Sequence, residues 1–329
     1  MLNVLLTVDT EHWPRGRWPS RPLPRPYADY PRDYERDILG RTDTGDYGLP
    51  YLLNSLSRHD LKAVFFVESL HASTLCPDPL RRTVRMIRAA EQDIQLHVHT
   101  EWLSEITSCA LPSPYRQNMR DFNVSDQTRL IRVALRNLQA AGAPNVVALR
   151  AGNMGGNLDT LSAAKAAGLA WDMSLDLSEG HAVRSLIQDQ ANGDIDAAAC
   201  PTIALSCVED YPGHFRPAQL TALSFDELQH AMFSAERESF SYFVILLHSF
   251  ELVSRGSLLS RKTRAHKVNI RRWDQLCDLL HRRRDVFRTI TSQDLLHDGV
   301  YGGGGDFTRT RPIHTLIRYA EQVASRLVP

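Results

Sequence analysis

Two pairs of side chains in this sequence have the types and spacing for metal-assisted chemistry. His97 and His99 stand one residue apart at the end of an apolar run, Asp93-Ile-Gln-Leu-His-Val-His-Thr-Glu-Trp102. Side chains two apart on a strand point to the same face, so both imidazoles look one way. Asp9 and Glu11 repeat the arrangement with carboxylates at the end of Leu5-Leu-Thr-Val-Asp-Thr-Glu11. Bringing those two strand ends together gives a His/His/carboxylate site with a spare carboxylate beside it. That is equipment for metal-assisted hydrolysis.

The elements that must position these residues alternate. Leu2 to Val8 reads as a buried strand, as do Lys62 to Val67, Ile94 to His99, Val146 to Leu149, Leu169 to Met173, Thr202 to Leu205, Phe243 to Leu247 and Phe287 to Thr291. Helical spacing lies between them: Gly48 to Asp60, about Pro79 to Ala90, a helix capped by Ser125 and running to Ala141, and one capped by Asn157 or Asp159 and stopped by Gly168. Helices over Phe225 to Glu238 and Asn269 to Arg283 separate the later strands. Repeated βα units predict an α/β fold with a parallel sheet, and seven or so strands favour closure into a barrel. Sites in such folds lie at the C-terminal ends of strands.

Further polar residues fall at those ends: Arg150 after strand four, Asp172 and Ser174 after strand five, His248 after the strand that starts at Phe243, and then Glu251, read as a solvated residue. Residues 12 to 49, rich in Pro, Arg, Tyr, Asp and Gly, read as a long loop without regular elements. Its aromatics and arginines suit the rim of a carbohydrate-sized groove. Gly302 to Gly305 reads as a hinge, and Pro312 to Leu327 as an amphipathic helix that packs on the body or on a partner. The expected division is a catalytic domain over 1–299 and a Gly-rich hinge with a helical tail over 300–329.

The chain has 329 residues, 43% of them hydrophobic, enough for one large α/β domain or two smaller ones. With 38 basic against 38 acidic residues, total charge gives no argument for a nucleic-acid or anionic-membrane partner. The basic run Arg282-Arg-Arg284, broken by Asp285, reads as a solvated helix end. Five scattered cysteines without a CxxC pair suggest neither a disulfide framework nor a thiolate zinc site. No signal-peptide pattern and no spanning segment is read, so the expected location is the cytoplasm.

In order, Thr7-Val-Asp-Thr-Glu11, Ala63-Val-Phe-Phe-Val67, Leu96-His-Val-His-Thr100, Leu149-Arg-Ala-Gly-Asn153 and Leu246-Leu-His-Ser249 resemble the motifs of the polysaccharide deacetylase family (NodB homology, carbohydrate esterase family 4), in a divergent branch. The series spans nearly the whole chain. The resemblance implies a distorted (β/α)7 barrel. It also implies a divalent metal, zinc foremost, used to hydrolyse N-acetyl or related acyl groups on sugars. Two departures stand out. The family's commonest first motif is two adjacent aspartates, whereas Thr10 here separates Asp9 from Glu11. Its usual second motif has histidines four apart, whereas His97 and His99 are two apart and Glu101 stands four after His97.

Carried onto this chain, the resemblance implies Asp9 as base and Glu11, His97 and His99 as metal ligands. The reverse roles for Asp9 and Glu11, and Glu101 in place of His99, stay open. Arg150 would hold Asp9 ionised, and His248 would protonate the departing amine. Asp172 would orient Arg150 or His248, or close a turn. Backbone N–H groups near Gly152 and Asn153 are candidates to hold an oxyanion. The implied partner is a carbohydrate, an N-acylated amino sugar that is free, nucleotide-linked or lipid-linked. No nucleic acid is expected, and the tail makes self-association an expectation. Two other readings compete: a hydrolase of a non-sugar cyclic amide, and a catalytically silent barrel that binds carbohydrate or a partner protein.

Overall fold

The structure, a computed structural model, describes residues 1–12, 30–104, 116–179, 199–255, 263–298 and 307–327. Its first strand, β1 (Leu2–Thr10), is buried on nearly every residue. That fits a parallel strand covered on both sides. The main elements follow in order: α1 (Leu49–His59), β2 (Val64–Glu68), α2 (Asp78–Ala89), β3 (Asp93–Val98), α3 (Val124–Ala140), β4 (Ala148–Ala151), α4 (Leu158–Ala166) and β5 (Trp171–Asp172). A hairpin β6 (Cys207–Tyr211) and β7 (His214–Pro217) comes next. Then come α5 (Phe225–Arg237), β8 (Tyr242–His248), α6 (Lys267–Arg282), β9 (Phe287–Thr289), α7 (Ser292–Asp298) and α8 (Pro312–Leu327).

Strands β8, β1, β2, β3, β4 and β5 lie side by side in that order, all parallel, with β9 paired to the start of β1. The alternation of side chains splits the core in two. Leu6, Val8, Phe65, Leu96 and Leu149 pack outward under the helices. Leu5, Val64, Phe66, Ala148, Val244 and Leu246 fill the interior of the half-barrel. Asp9, His97, Arg150 and His248 have the same phase as the interior set, so all four project inward.

The remaining side is closed irregularly. Thr202 to Leu205, expected as a strand, contributes only single parallel bridges, Asp172 to Thr202 and Asp176 to Leu205. The chain then reaches β8 through Leu220 N–H on the Leu246 carbonyl (3.1 Å) and Leu246 N–H on that of Ala218 (2.9 Å). This seam gives the barrel its distortion.

Three expectations are corrected. The helix to Ala140 starts at Val124 and is capped by Asn123, whose side chain accepts from Asp126 N–H, rather than by Ser125. Within the expected loop 12–49, residues 30–46 do form regular elements: a helix Tyr30–Asp33, a π-turn Tyr34–Ile38 and a hairpin of Arg41–Thr42 with Gly45–Asp46. Tertiary burial overrides the composition here. Tyr30 and Tyr34 are buried, and Arg36 bridges the buried Asp33 and Asp37 at 2.9 and 2.7 Å. Hairpin β6/β7 was not expected, because its inward position Asp210 breaks the apolar alternation. Residues 13–29 and Gly302 to Gly305 lie outside the described residues.

The basic run is tied by surface ion pairs of Arg282 to Asp278, Arg283 to Asp285 and Arg284 to Asp60, as a solvated helix end should be. Among the described residues, no helix is long and apolar enough to cross a membrane.

The tail helix α8 packs on the body. Its Arg318, fully buried, reaches Asp210 on β6 at 2.7 Å and Glu227 on α5 at 3.0 Å. A buried guanidinium removed from such a network leaves carboxylates without their counter-charge. Arg318→Ala is therefore expected to destabilise the fold by ~3 kcal/mol. Urea unfolding followed by circular dichroism measures the loss; a change below about 1 kcal/mol would show that the network carries no net stability.

Candidate metal centre

Parallel register puts the strand ends level. Asp9 pairs with His248 across β1 and β8, Glu68 with His97 across β2 and β3, and His97 with Arg150 across β3 and β4. Glu11 lies just past β1, buried. Its Oε2 stands 3.0 Å from His97 Nε2 and in direct contact with His99 Nε2. Ligand atoms of Glu11, His97 and His99 all lie within 4.8 Å of one another, so this trio can hold a metal ion.

The remaining nitrogens of the two imidazoles are committed elsewhere. His97 Nδ1–H donates to the Arg150 carbonyl (2.8 Å), and His99 Nδ1–H donates to Glu101 Oε2 (2.9 Å). Each ring thereby turns its Nε2 to Glu11. Fixing the tautomer through the far nitrogen is how proteins prepare histidine for a metal. Nitrogen, nitrogen and carboxylate oxygen form a donor set suited to zinc. In the ion-free site, burial would raise the Glu11 carboxyl. The charge of His99, with hydrogen bonds from both imidazoles, outweighs that and holds it well below the usual range. Burial would lower His99, but the charges of Glu11 and Glu101 push it well above the ordinary imidazole value. The pocket thus stabilises positive charge where the three side chains meet.

Glu101 does not join the trio. Its Oε1 accepts from Asn153 Nδ2 (2.7 Å) and its Oε2 holds His99. Gly152 leaves room for the same ring, since a Cβ there would fall 2.5 Å from His99 Nδ1. Asn153 adopts a left-handed conformation (φ 58°), a backbone state in which asparagine is enriched. The segment after β4 is thus shaped around His99.

Asp9 lies beside the trio. Its Oδ1 accepts from Arg150 Nη1 at 2.7 Å, and its Oδ2 faces His97 Nε2 and His248 Nε2, each at 3.9 Å. Arg150 is fully buried, donates also to Thr7 Oγ1 (3.0 Å) and the Met173 carbonyl (3.1 Å), and lies 4.2 Å over the Phe66 ring. His248 is the most open of the set, with 19% of its side chain exposed, and its Nε2 stands 3.8 Å from Glu11 Oε1.

Glu251, expected to be solvated, is buried and bonds His248 Nδ1 at 2.8 Å. Gln219 Nε2 donates to the same Glu251 oxygen. Burial works against charge on His248, but Glu251, then Glu11 and Asp9, outweigh it and raise the imidazole to about 9. Asp172 takes the turn role. Both its oxygens accept from Ser174, whose Oγ accepts from Ala151 N–H (2.8 Å). Burial pushes Asp172 up to about 6 against those bonds and the Arg150 charge.

The structure therefore gathers Asp9, Glu11, His97, His99, Arg150 and His248 at one end of the barrel. Sequence reading missed Gln219 and the orienting parts of Glu101, Asn153, Gly152 and Glu251. The spacing of three between His248 and Glu251 was the available signal for the last. Gln219 lies in the irregular seam and left none.

Comparison with known proteins addresses the fold. A protein from Mycobacterium smegmatis, provisionally assigned as a polysaccharide deacetylase, superposes with a TM-score of 0.52 at 14% identity, covering 90% of this chain and 89% of its own. The chain has the polysaccharide deacetylase fold. A family 4 carbohydrate esterase from Streptomyces lividans is more distant, with a TM-score of 0.40 at 13% identity over 88% of this chain and 91% of that one. The peptidoglycan deacetylase PdaC from Bacillus subtilis gives 0.39 at 10% identity over 98% and 96%. No family profile and no curated protein sequence matches the chain. The distorted (β/α)7 barrel of the polysaccharide deacetylase type, inferred from the ordered motifs, is borne out.

Because Gly152 clears the His99 ring, Gly152→Ala is expected to displace it and, if the trio takes up added zinc, to weaken that uptake ~10- to 100-fold, the usual cost of losing support around a ligand. Competition with a chromophoric chelator measures this. Wild-type affinity in the variant would show that His99 needs no such clearance.

Proposed function

We propose that this protein is a metal-dependent hydrolase that removes an N-acyl group, N-acetyl foremost, from an amino sugar in a glycan or glycan precursor. The observation that carries the reading is the pairing of two kinds of site on one barrel end. Glu11, His97 and His99 converge through preset tautomers, and the Arg150-held Asp9 stands beside them with one oxygen turned to the centre.

In this reading Glu11, His97 and His99 hold a divalent ion, zinc by its donor set. When bound, the ion would lower the pKa of a water towards ~7 and polarise the acyl oxygen. Asp9 takes the water proton on Oδ2, while Arg150 on Oδ1 holds the carboxylate in place. As the C–N bond breaks, His248 Nε2–H gives its proton to the departing amine nitrogen, and the acyl group leaves as a carboxylic acid. Glu251 keeps His248 charged at neutral pH, as a general acid requires. The arrangement also supports Asp9 as base and Glu11 as ligand rather than the reverse, because Arg150 occupies one Asp9 oxygen.

Asp9→Asn is expected to keep zinc and lose at least ~100-fold in amine release from N-acetylglucosamine oligomers, the lower range for a lost acid–base group. His97→Ala is expected to lose the metal, as read by elemental analysis. An active Asp9→Asn enzyme would remove Asp9 from the reaction, and a metal-replete His97→Ala protein would remove the site.

A pH profile tests His248. As an acid it must be protonated, so kcat should fall as pH rises through about 9. Glu251→Gln removes the nearest negative charge, lowers the His248 pKa and should move that basic limb down by a unit or more. A limb that stays in place would assign it to another group.

A further inference from the structure

Chain neutrality conceals a local excess of positive charge on α2. Arg81, Arg82, Arg85 and Arg88 are all exposed on it. Arg81, Arg85 and Arg88 follow helical spacing, so they stack along one face. Like charges one turn apart repel. The arginines line a cleft of about 1070 Å³ between α2 and the Tyr30–Ile38 segment. That is the size of a ligand site.

The charge in the cleft is incompletely balanced. Two carboxylates also line it, Asp78 and Glu35. Asp78 pairs with Arg81 at 3.1 Å, and Glu35 is taken by Arg41 at 3.0 Å, outside the cleft lining. Arg88 donates to the Gly142 carbonyl, which leaves its charge unneutralised. Among the described residues, neither Arg82 nor Arg85 has a carboxylate within ion-pair distance. Both act on one spot. Arg82 lies 5.8 Å over the Tyr34 ring, and the charges of Arg82 and Arg85 both pull on the Tyr34 phenol against its burial.

We propose that this cleft is a binding site for a diphosphate-bearing ligand, held by Arg82, Arg85 and Arg88. Guanidinium groups present flat donor forks that match phosphate oxygens bidentately. Their backbone positions rise ~4.5 Å from one to the next along α2 and all three side chains line the cleft, so one phosphate meets one or two of them and a linked pair can reach all three. A ligand-sized cleft with walls from α2 and from the Tyr30–Ile38 segment favours such a ligand over a flat anionic membrane. The proposal stands apart from the reading of the metal centre, because the cleft lining shares no residue with that site.

The test is calorimetric titration of the full chain with inorganic pyrophosphate at low salt. Saturable one-to-one binding is expected. It should weaken at least tenfold in Arg82→Glu/Arg85→Glu and persist in His97→Ala. Arg82→Lys/Arg85→Lys, which keeps the charge but loses the forks, should bind with intermediate affinity. The Glu double variant should melt no lower than wild type, since it relieves repulsion. The proposal fails if pyrophosphate does not saturate, or if the Glu variant is folded and binds as wild type. It fails equally if binding disappears in His97→Ala, which would assign it to the metal centre. Capture by phosphatidylglycerol vesicles without pyrophosphate binding would make the face a membrane contact and overturn it too.

Discussion

Arg150 is a full positive charge with no access to water, placed inside a parallel barrel. Such a charge is tolerable only when paired and hydrogen-bonded. Asp9 supplies the counter-charge, Thr7 and the Met173 carbonyl take further N–H groups, and Phe66 lends its ring face. They come from three parts of the barrel: Asp9 and Thr7 from β1, Phe66 from β2 and Met173 from the segment after β5. The same residue's carbonyl fixes the tautomer of His97 on β3. One residue thus ties together the elements around the centre, and its cost of burial is what holds Asp9 in a single position. A carboxylate fixed on one oxygen by a permanent cation offers only the other oxygen to its surroundings.

Much of this was legible because strands impose a period of two. Once Leu5 and Val64 are inside, Asp9, His97, Arg150 and His248 must follow in phase, and a one-residue slip would turn all of them to the helices. Parallel pairing then sets their heights, since each strand ends at the same rim. Residue type, alternation and strand order together specify the site without any knowledge of side-chain contacts.

What stayed hidden depends on contacts between distant segments. Glu251 looks like a surface residue until the seam brings Gln219 and Thr221 over it. Residues 30–38 read as loop because five charges and a proline mask them, yet burying Tyr30 and Tyr34 and caging Asp33 and Asp37 around Arg36 orders them. Thr202 to Leu205 is apolar enough for a strand, but β5 is only two residues long and offers too short a ladder to extend it. Net charge misled in the opposite direction. The 38 positive and 38 negative residues cancel over the chain, while the Arg81–Arg88 spacing that builds a basic cleft is plain in the sequence once read at helical period.

The departure in the second motif has a physical account in the same terms. Two histidines four apart, the family's usual pattern, would put the second ring beyond the strand. Here the second ring is two residues on, still in strand phase with His97, and the two rings meet edge to face with centroids 4.8 Å apart. That closeness requires space on the far side of His99, which Gly152 provides by lacking a Cβ. The position four after His97 is occupied by Glu101. A carboxylate there reaches back to His99 Nδ1 and is itself held by Asn153. Glycine for clearance, asparagine in a left-handed turn and glutamate as acceptor form one adaptation, in which moving a histidine two residues earlier changes what its neighbours must be. Replacing Glu101 with histidine alone would restore the family spacing. It would also leave the His99 Nδ1–H and the Asn153 amide without their acceptor, so the usual pattern cannot be recovered one residue at a time.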